Sequence, residues 1–285
     1  MRVGNSVGPS ADRSEATVWH SPRVDLGLEG RVAVVTGASS GIGRGIALAL
    51  AAEGCHVVLG GRREDALCAL VDELPSGSSG HIVVGDVRDP DTADRLVAAA
   101  SNEYGRLDIL VNNAGRADAK RLEALTDADW IDAFDLLLFS AVRLSAACVP
   151  VMRAAGWGRI INVASTFGRE PDPWFAPYSA AKAALINLTR TYGRVFTPDG
   201  ILTSCLVPGI TETEIVARNT ANAAAAAGVD TDEIVRRILA KDPIPAGRFA
   251  RVEEVAAAAV FLASERASMI SGSGLVIDGG ALRST

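Results

Sequence analysis

Apolar residues in this chain gather into short unbroken runs instead of alternating with polar ones. Val32-Ala33-Val34-Val35 is the first, and Ile109-Leu110-Val111, Ile160-Ile161 and Leu206-Val207 repeat the type. Runs of this length, rich in β-branched residues, are buried on both faces, as the strands of a parallel sheet are. Between them the apolar residues recur at helical spacing, beginning with Ile42, Ile46, Ala49 and Leu50. The pattern predicts strands at 31–36, 56–59, 81–85, 109–111, 159–163, 202–207 and 274–278. It predicts helices at 42–53, 64–74, 91–104, 128–154, 178–195 and 252–263. Strand followed by helix throughout implies the α/β class, a doubly wound, seven-stranded parallel sheet with helices on both faces. No composition break marks a linker, so a single domain is expected over 29–285, behind a polar leader at 1–28. An alanine-rich insertion at 211–243 reads as a mobile lid.

Composition narrows the function more than the fold. The chain has 285 residues, 48% apolar and 22% charged, ordinary values for a globular protein with a sizeable core. A formal charge of −6 and a pI near 5.2 argue against nucleic acid or an anionic membrane as the partner. Cys55, Cys68, Cys148 and Cys205 are too widely spaced for a metal or redox pair, and His20, His56 and His81 form no ligand set, so no metal is expected. Residues 1–25 lack a secretory pattern, and no unbroken apolar run reaches the length that spans a bilayer; a cytoplasmic protein is expected.

Two stretches carry chemistry. Thr36-Gly37-Ala38-Ser39-Ser40-Gly41-Ile42-Gly43 lies between the first strand and the first helix. Glycines there permit a tight turn and close approach of a pyrophosphate to the helix N-terminus, which makes the fold Rossmann-type. The second strand ends Gly60-Gly61-Arg62-Arg63, with glycine where NAD sites usually place an acidic residue. Arg62 there suits the 2′-phosphate of NADP(H), which is favoured, and NAD(H) stays open because adjacent arginines also make an ordinary solvated helix start. Further on come Ser165, Tyr178 and Lys182. Tyr178 and Lys182, four apart, share a helix face, and an ammonium beside a phenol lowers the phenol pKa. Taken singly, such a tyrosine packs and such a lysine is solvated; together, after a dinucleotide turn, they read as a proton-transfer site.

The glycine turn, Asn112-Asn113-Ala114-Gly115, Ser165, Tyr178-Ser179-Ala180-Ala181-Lys182 and Pro208-Gly209 together resemble the short-chain dehydrogenase/reductase family, in register from about Gly30 to Gly280. The resemblance implies a nicotinamide oxidoreductase interconverting a secondary alcohol and a ketone. Tyr178 would be the general acid/base, Ser165 would hold the substrate oxygen, and Lys182 would bind the nicotinamide ribose and tune the tyrosine. Gly37, Ser39, Ser40, Gly41, Ile42 and Gly43 would cradle the cofactor phosphates. Asp86 and Val87 would contact adenine; Asn112, Asn113, Ala114 and Gly115 would line the fourth strand's end; Pro208, Gly209, Ile210 and Thr213 would hold the carboxamide and a phosphate. Family members are commonly homodimers or homotetramers through the long helix after the fourth strand, whose apolar residues cover more than one face.

One position departs from the pattern. Counting from Trp130, Leu137 stands where the family usually carries an asparagine that helps hold a water linking the lysine to solvent. Turnover is then expected to survive through a rerouted proton path. The alternative is a nucleotide-binding regulatory or scaffold protein with impaired turnover. A sugar-nucleotide epimerase or dehydratase would share the Tyr/Lys pair, but the compact end at Gly280 disfavours it. Trp174 and Phe175 border the substrate or pack their loop.

Overall fold

The seven apolar runs form seven strands in the computed structural model, which describes residues 24–283. They are β1 (Val32–Thr36), β2 (His56–Gly61), β3 (Gly80–Val84), β4 (Ile109–Asn112), β5 (Gly158–Val163), β6 (Ile201–Pro208) and β7 (Ser273–Ile277). The helices are α1 (Gly41–Ala52), α2 (Glu64–Asp72), α3 (Pro90–Tyr104), α4 (Asp127–Phe134), α5 (Ser140–Ala155), α6 (Ala176–Phe196), α7 (Glu214–Ala227), α8 (Thr231–Lys241) and α9 (Val252–Ala263). All strands pair in parallel in the order β3-β2-β1-β4-β5-β6-β7. The chain runs outward from β1 to β3, then returns to β4 beside β1, so the order reverses between β1 and β4. Open α/β sheets bind ligands at the carboxyl ends of strands flanking such a reversal.

Two cores sandwich the sheet. On one face Val35, Val57, Leu59, Val111 and Ile161 meet Ile46, Leu50, Leu67 and Val255 from α1, α2 and α9. On the other, Val34, Val58, Leu110 and Ile160 meet Leu96, Leu144, Cys148 and Met152 from α3 and α5. Each fully buried aliphatic side chain contributes about 1.5–3 kcal/mol relative to exposure, which is why the central strands carry no polar face. α9 packs so closely on α1 that a Cβ on Gly45 would lie 2.2 Å from Val252 Cγ1.

The structure differs from the pattern in three places. The helix expected at 128–154 is interrupted by a wide π turn, Asp135–Phe139, so α4 and α5 are offset around it. Leu28 is 2% exposed and the Leu26 carbonyl accepts from the Glu265 amide at 3.0 Å, so these leader residues are docked on the domain. The rest of the leader, residues 1–23, lies outside the described residues. Finally, α4, the π turn and α5 make 29 helical residues with a window of mean hydropathy 1.7, long and apolar enough to cross a bilayer by length and composition. The expectation drawn from unbroken runs missed this because scattered polar residues divide the stretch. Its apolar residues Leu136, Leu137, Leu144, Cys148 and Met152 are packed in the core. The insertion at 211–243 is a helical pair, α7 and α8, rich in exposed residues.

Candidate active site

The turn after β1 is built around one hydroxyl. Thr36 Oγ1 donates to the Val111 carbonyl at 3.2 Å and accepts from the amides of Asn113 and Ala114 at 3.0 and 3.1 Å. The Asn113 amide nitrogen in turn donates to the carbonyls of Thr36 and Gly37 at 2.9 and 3.3 Å. Asn113, expected among the cofactor contacts, therefore spends its side chain bolting the end of β4 to the glycine turn. There is no room for larger residues here: a Cβ on Gly43 would sit 2.3 Å from Asn113 Nδ2 and 2.4 Å from the Gly37 carbonyl oxygen. Gly37 and Gly41 take φ of +65° and +54°, the left-handed region where glycine is unstrained. Ser40 caps α1 in extended conformation without a side-chain bond, and Ile42 packs on the core.

Arginines close the turn from the β2 side. Arg63, for which a solvated helix start was only the alternative reading, reaches back to Ser39, donating to its hydroxyl at 3.1 Å and its carbonyl at 3.0 Å. Arg62 stands 3.8 Å from Asp86 with its side chain 66% exposed. The Asp86 carboxylate is gripped by Arg88 at 2.7 and 3.0 Å, and that pairing holds its pKa down to about 2. Arg88 continues to Asp132 at 2.6 Å, Asp132 to Arg116 at 2.6 Å, and Arg116 to Asp118 at 2.6 Å. A ladder of alternating charge thus runs from the end of β3 to the loop after β4. Val87 is buried in the second core.

Ser165, Tyr178 and Lys182 come together at the end of β5 and the start of α6. Ser165 lies two residues past β5, and its hydroxyl accepts from the Phe167 amide at 3.2 Å on the Tyr178 side of the site. Tyr178 and Lys182 lie one turn apart, the lysine Nζ 5.6 Å from the tyrosine ring centre. Lys182 is 4% exposed, and its ammonium donates to the Val163 carbonyl at 2.6 Å. Burial depresses it to about 8, partly offset by Cys205. The expected lowering of the tyrosine pKa is not what the structure gives. Burial raises it, outweighing the opposing influence of Ser165, because desolvation penalises phenolate and Lys182 is turned onto a carbonyl. Phe167 stands edge-on to the Tyr178 ring at 6.4 Å and stacks on Phe175, so Phe175 packs its loop. Trp174 lines a separate cavity of about 830 Å³ with Arg121 over its ring.

A cavity of about 250 Å³ lies against Tyr178, walled by Arg116, Asp118, Lys120, Asp129 and Asp132 over Leu136 and Pro177. Its cations are paired: Lys120 reaches Asp129 at 2.7 Å, and Arg116 holds Asp118 and Asp132. Leu137 sits on the π turn with its Cδ2 against Gly115, within 2.8 Å of where a Cβ would be, and Lys182 Nζ lies 3.9 Å from the same point. Within that turn the Ser140 amide skips back to the Asp135 carbonyl, and the Ser140 hydroxyl takes the Leu136 carbonyl at 2.6 Å. Asp135 points elsewhere, paired with Arg143 at 2.8 Å. Beneath the site, Asn112, expected at the end of β4, donates to Asn162 at 2.8 Å and Asn162 to Thr189 at 2.9 Å, two partners that the residue pattern did not single out.

Pro208 ends β6, and the Gly209 amide pairs with the Ile277 carbonyl at 2.9 Å, where a Cβ would press on Asp278. The Ile210 carbonyl accepts from the Ala250 amide, and the Thr213 hydroxyl caps α7. Thr213 Cγ2 and the Glu214 carboxylate meet Gly41, whose amide donates to Glu214 Oε2 at 2.9 Å. The turn therefore already holds an anion at the N-terminus of α1, on a cradle that any side chain would fill. Both observations fit a dinucleotide pyrophosphate.

Comparison with known proteins agrees. A family model described as short chain dehydrogenase matches residues 31–224. A putative ketoacyl reductase of the monensin polyketide synthase from Streptomyces virginiae is 41% identical over 253 residues, covering 88% of this chain and 96% of its own. The 3-oxoacyl-acyl-carrier-protein reductase of Escherichia coli is 36% identical over 255 residues, 90% of this chain and 98% of its own. The crystal structure of L-sorbose reductase from Gluconobacter frateurii, complexed with NADPH and L-sorbose, superposes with a TM-score of 0.88 at 36% identity, covering 92% of this chain and all of that one. By sequence, sheet order and site architecture, the chain belongs to the short-chain dehydrogenase family of oxidoreductases.

Proposed function

We propose that the protein is an NADP(H)-dependent reductase or dehydrogenase that interconverts a small ketone and its secondary alcohol, with Tyr178 as the proton donor and acceptor. The observation that carries this is the convergence of Ser165, Tyr178 and buried Lys182, with Tyr178 lining a cavity at the carboxyl edge of the sheet. Ser165 and Tyr178 bind the substrate oxygen; Tyr178, kept protonated by burial, gives its proton to a carbonyl oxygen or recovers it from an alcohol. Lys182 stays anchored on Val163 and orients the site. The nicotinamide that these residues would hold would supply or accept the hydride at the carbon. Gly37, Ser39, Ser40, Gly41, Ile42 and Gly43 would hold the phosphates; Asp86 and Val87 the adenine; Asn113, Ala114, Gly115, Pro208, Gly209, Ile210 and Thr213 the nicotinamide side. Arg62, joined by Arg63 on Ser39, supports a 2′-phosphate, and the NADPH held by the L-sorbose reductase supports the same preference.

The cavity suggests the substrate's character. Its cations are neutralised by carboxylates, so a neutral molecule with several hydrogen-bonding groups suits it better than a phosphate or carboxylate. L-Sorbose, bound by the similar reductase, has that chemistry. A panel of neutral hydroxyketones, keto acids and acyl thioesters, assayed with NADPH and NADH, tests the reading. Tyr178→Phe should lower turnover about 10²–10⁴-fold while leaving NADPH affinity unchanged. Nucleotide binding without turnover across the panel would favour the regulatory reading, for which Leu137 is the supporting observation. For assembly, we propose pairing of copies through the outer face of α4 and the π turn, where Ile131 and Phe139 are 68% and 48% exposed.

A further inference from the structure

The carboxylate on the glycine turn comes from far away in the chain. Glu214 lies 173 residues beyond Gly41, on the first turn of α7, and its Oε2 accepts from the Gly41 amide at 2.9 Å. Anions settle at a helix N-terminus because its first amides lack partners and the helix dipole is positive there. α1 offers no anion of its own: its first turn holds no acidic residue, and Ser40 makes no side-chain cap. Glu214 fills that place, and Thr213 beside it packs its methyl group against Gly41. The lid is therefore fastened at its N-terminal end to the turn that the reading above gives to the pyrophosphate.

We propose that Glu214 is a built-in competitor for the cofactor's pyrophosphate, latching the α7 end of the lid to the glycine turn until the nucleotide displaces it. The proposal rests on the dinucleotide reading of that turn. A carboxylate and a phosphate cannot share one amide donor without repulsion, so the side chain of Glu214 and the phosphate of the nucleotide compete for it. Entry of the nucleotide then turns Glu214 off Gly41 and frees the start of α7, tying cofactor arrival to release of the lid. The apparent affinity is lowered by the fraction of molecules in which Glu214 is seated.

Glu214→Gln, which keeps the size and removes the charge, and Glu214→Ala, which removes the acceptor, test this. Both should bind NADPH about threefold to tenfold more tightly than wild type in calorimetric titration, since a charge-assisted bond no longer competes. Adenosine 2′-monophosphate, which has no pyrophosphate, should bind all three proteins equally. Without nucleotide, hydrogen exchange at the Gly41 amide should be faster in Glu214→Ala. Equal or weaker NADPH binding by folded variants would overturn the latch, as would an equal gain for the monophosphate, which would show a general electrostatic effect. If wild type and variants all fail to bind NADPH and NADH, the dinucleotide reading itself falls and takes the latch with it.

Discussion

Lys182 shows how burial sets the terms at a single residue. The site holds an ammonium with 4% exposure on one carbonyl, and burial brings its pKa to about 8 from an ordinary 10.5. Between those two values the unfolded chain binds a proton that the folded chain has released, so stability rises with pH across the window. Lys182→Met lacks that proton. Urea midpoints should therefore shift in favour of wild type over Lys182→Met as pH goes from about 8 to 10.5, and a difference that stays constant would sink the assignment. That Tyr178 and Lys182 share one face was legible because they are one helical turn apart, whereas the role of Ser165 entered through the family resemblance and the structure sets it beside them. Arg63 on Ser39 and Glu214 on Gly41 were not legible. Each is a contact between segments distant along the chain, and charge in sequence says nothing of its partner in space.

Among the elements, the π turn at Asp135–Phe139 is where local pattern and structure part. The apolar periodicity continues through it, so the sequence reads as one helix; the extra residue shows only in the Ser140 amide bonding five residues back. The turn brings Leu137 against Gly115, beside Lys182, the place where the family's asparagine would assist the proton path. Leu137→Asn should raise turnover and alter its pH profile if leucine limits proton relay. It should also lower the melting temperature, because a buried amide without full hydrogen bonding costs about 1–3 kcal/mol. An unchanged rate and profile would argue that the leucine is neutral. Strands were read more reliably than this helix, since a doubly buried strand has no alternative face: β1 is entirely buried, as its unbroken run implied.

For the whole molecule, the parallel seven-stranded sheet followed from the alternation of strand and helix, while its strand order and its surfaces did not. Along α4, the π turn and α5, some large apolar residues are buried while Ile131 and Phe139 are exposed, a distinction that composition alone cannot make. Sedimentation velocity should find a dimer or tetramer, and Ile131→Glu with Phe139→Glu should shift it toward the single chain. A wild-type protein sedimenting as one chain would remove the proposed interface.

The close seat of α9 on α1 has a consequence for how the chain is made. Gly45 and Val252 stand more than two hundred residues apart in order of synthesis, yet their helices share one core. A ribosome delivers β1, α1 and β2 first, and their pairing can begin early. The layer that closes over α1 is among the last to emerge. Until α9 emerges that apolar flank of α1 stays uncovered, so the time taken to synthesise the chain between the two helices sets the window in which the nascent protein is most vulnerable.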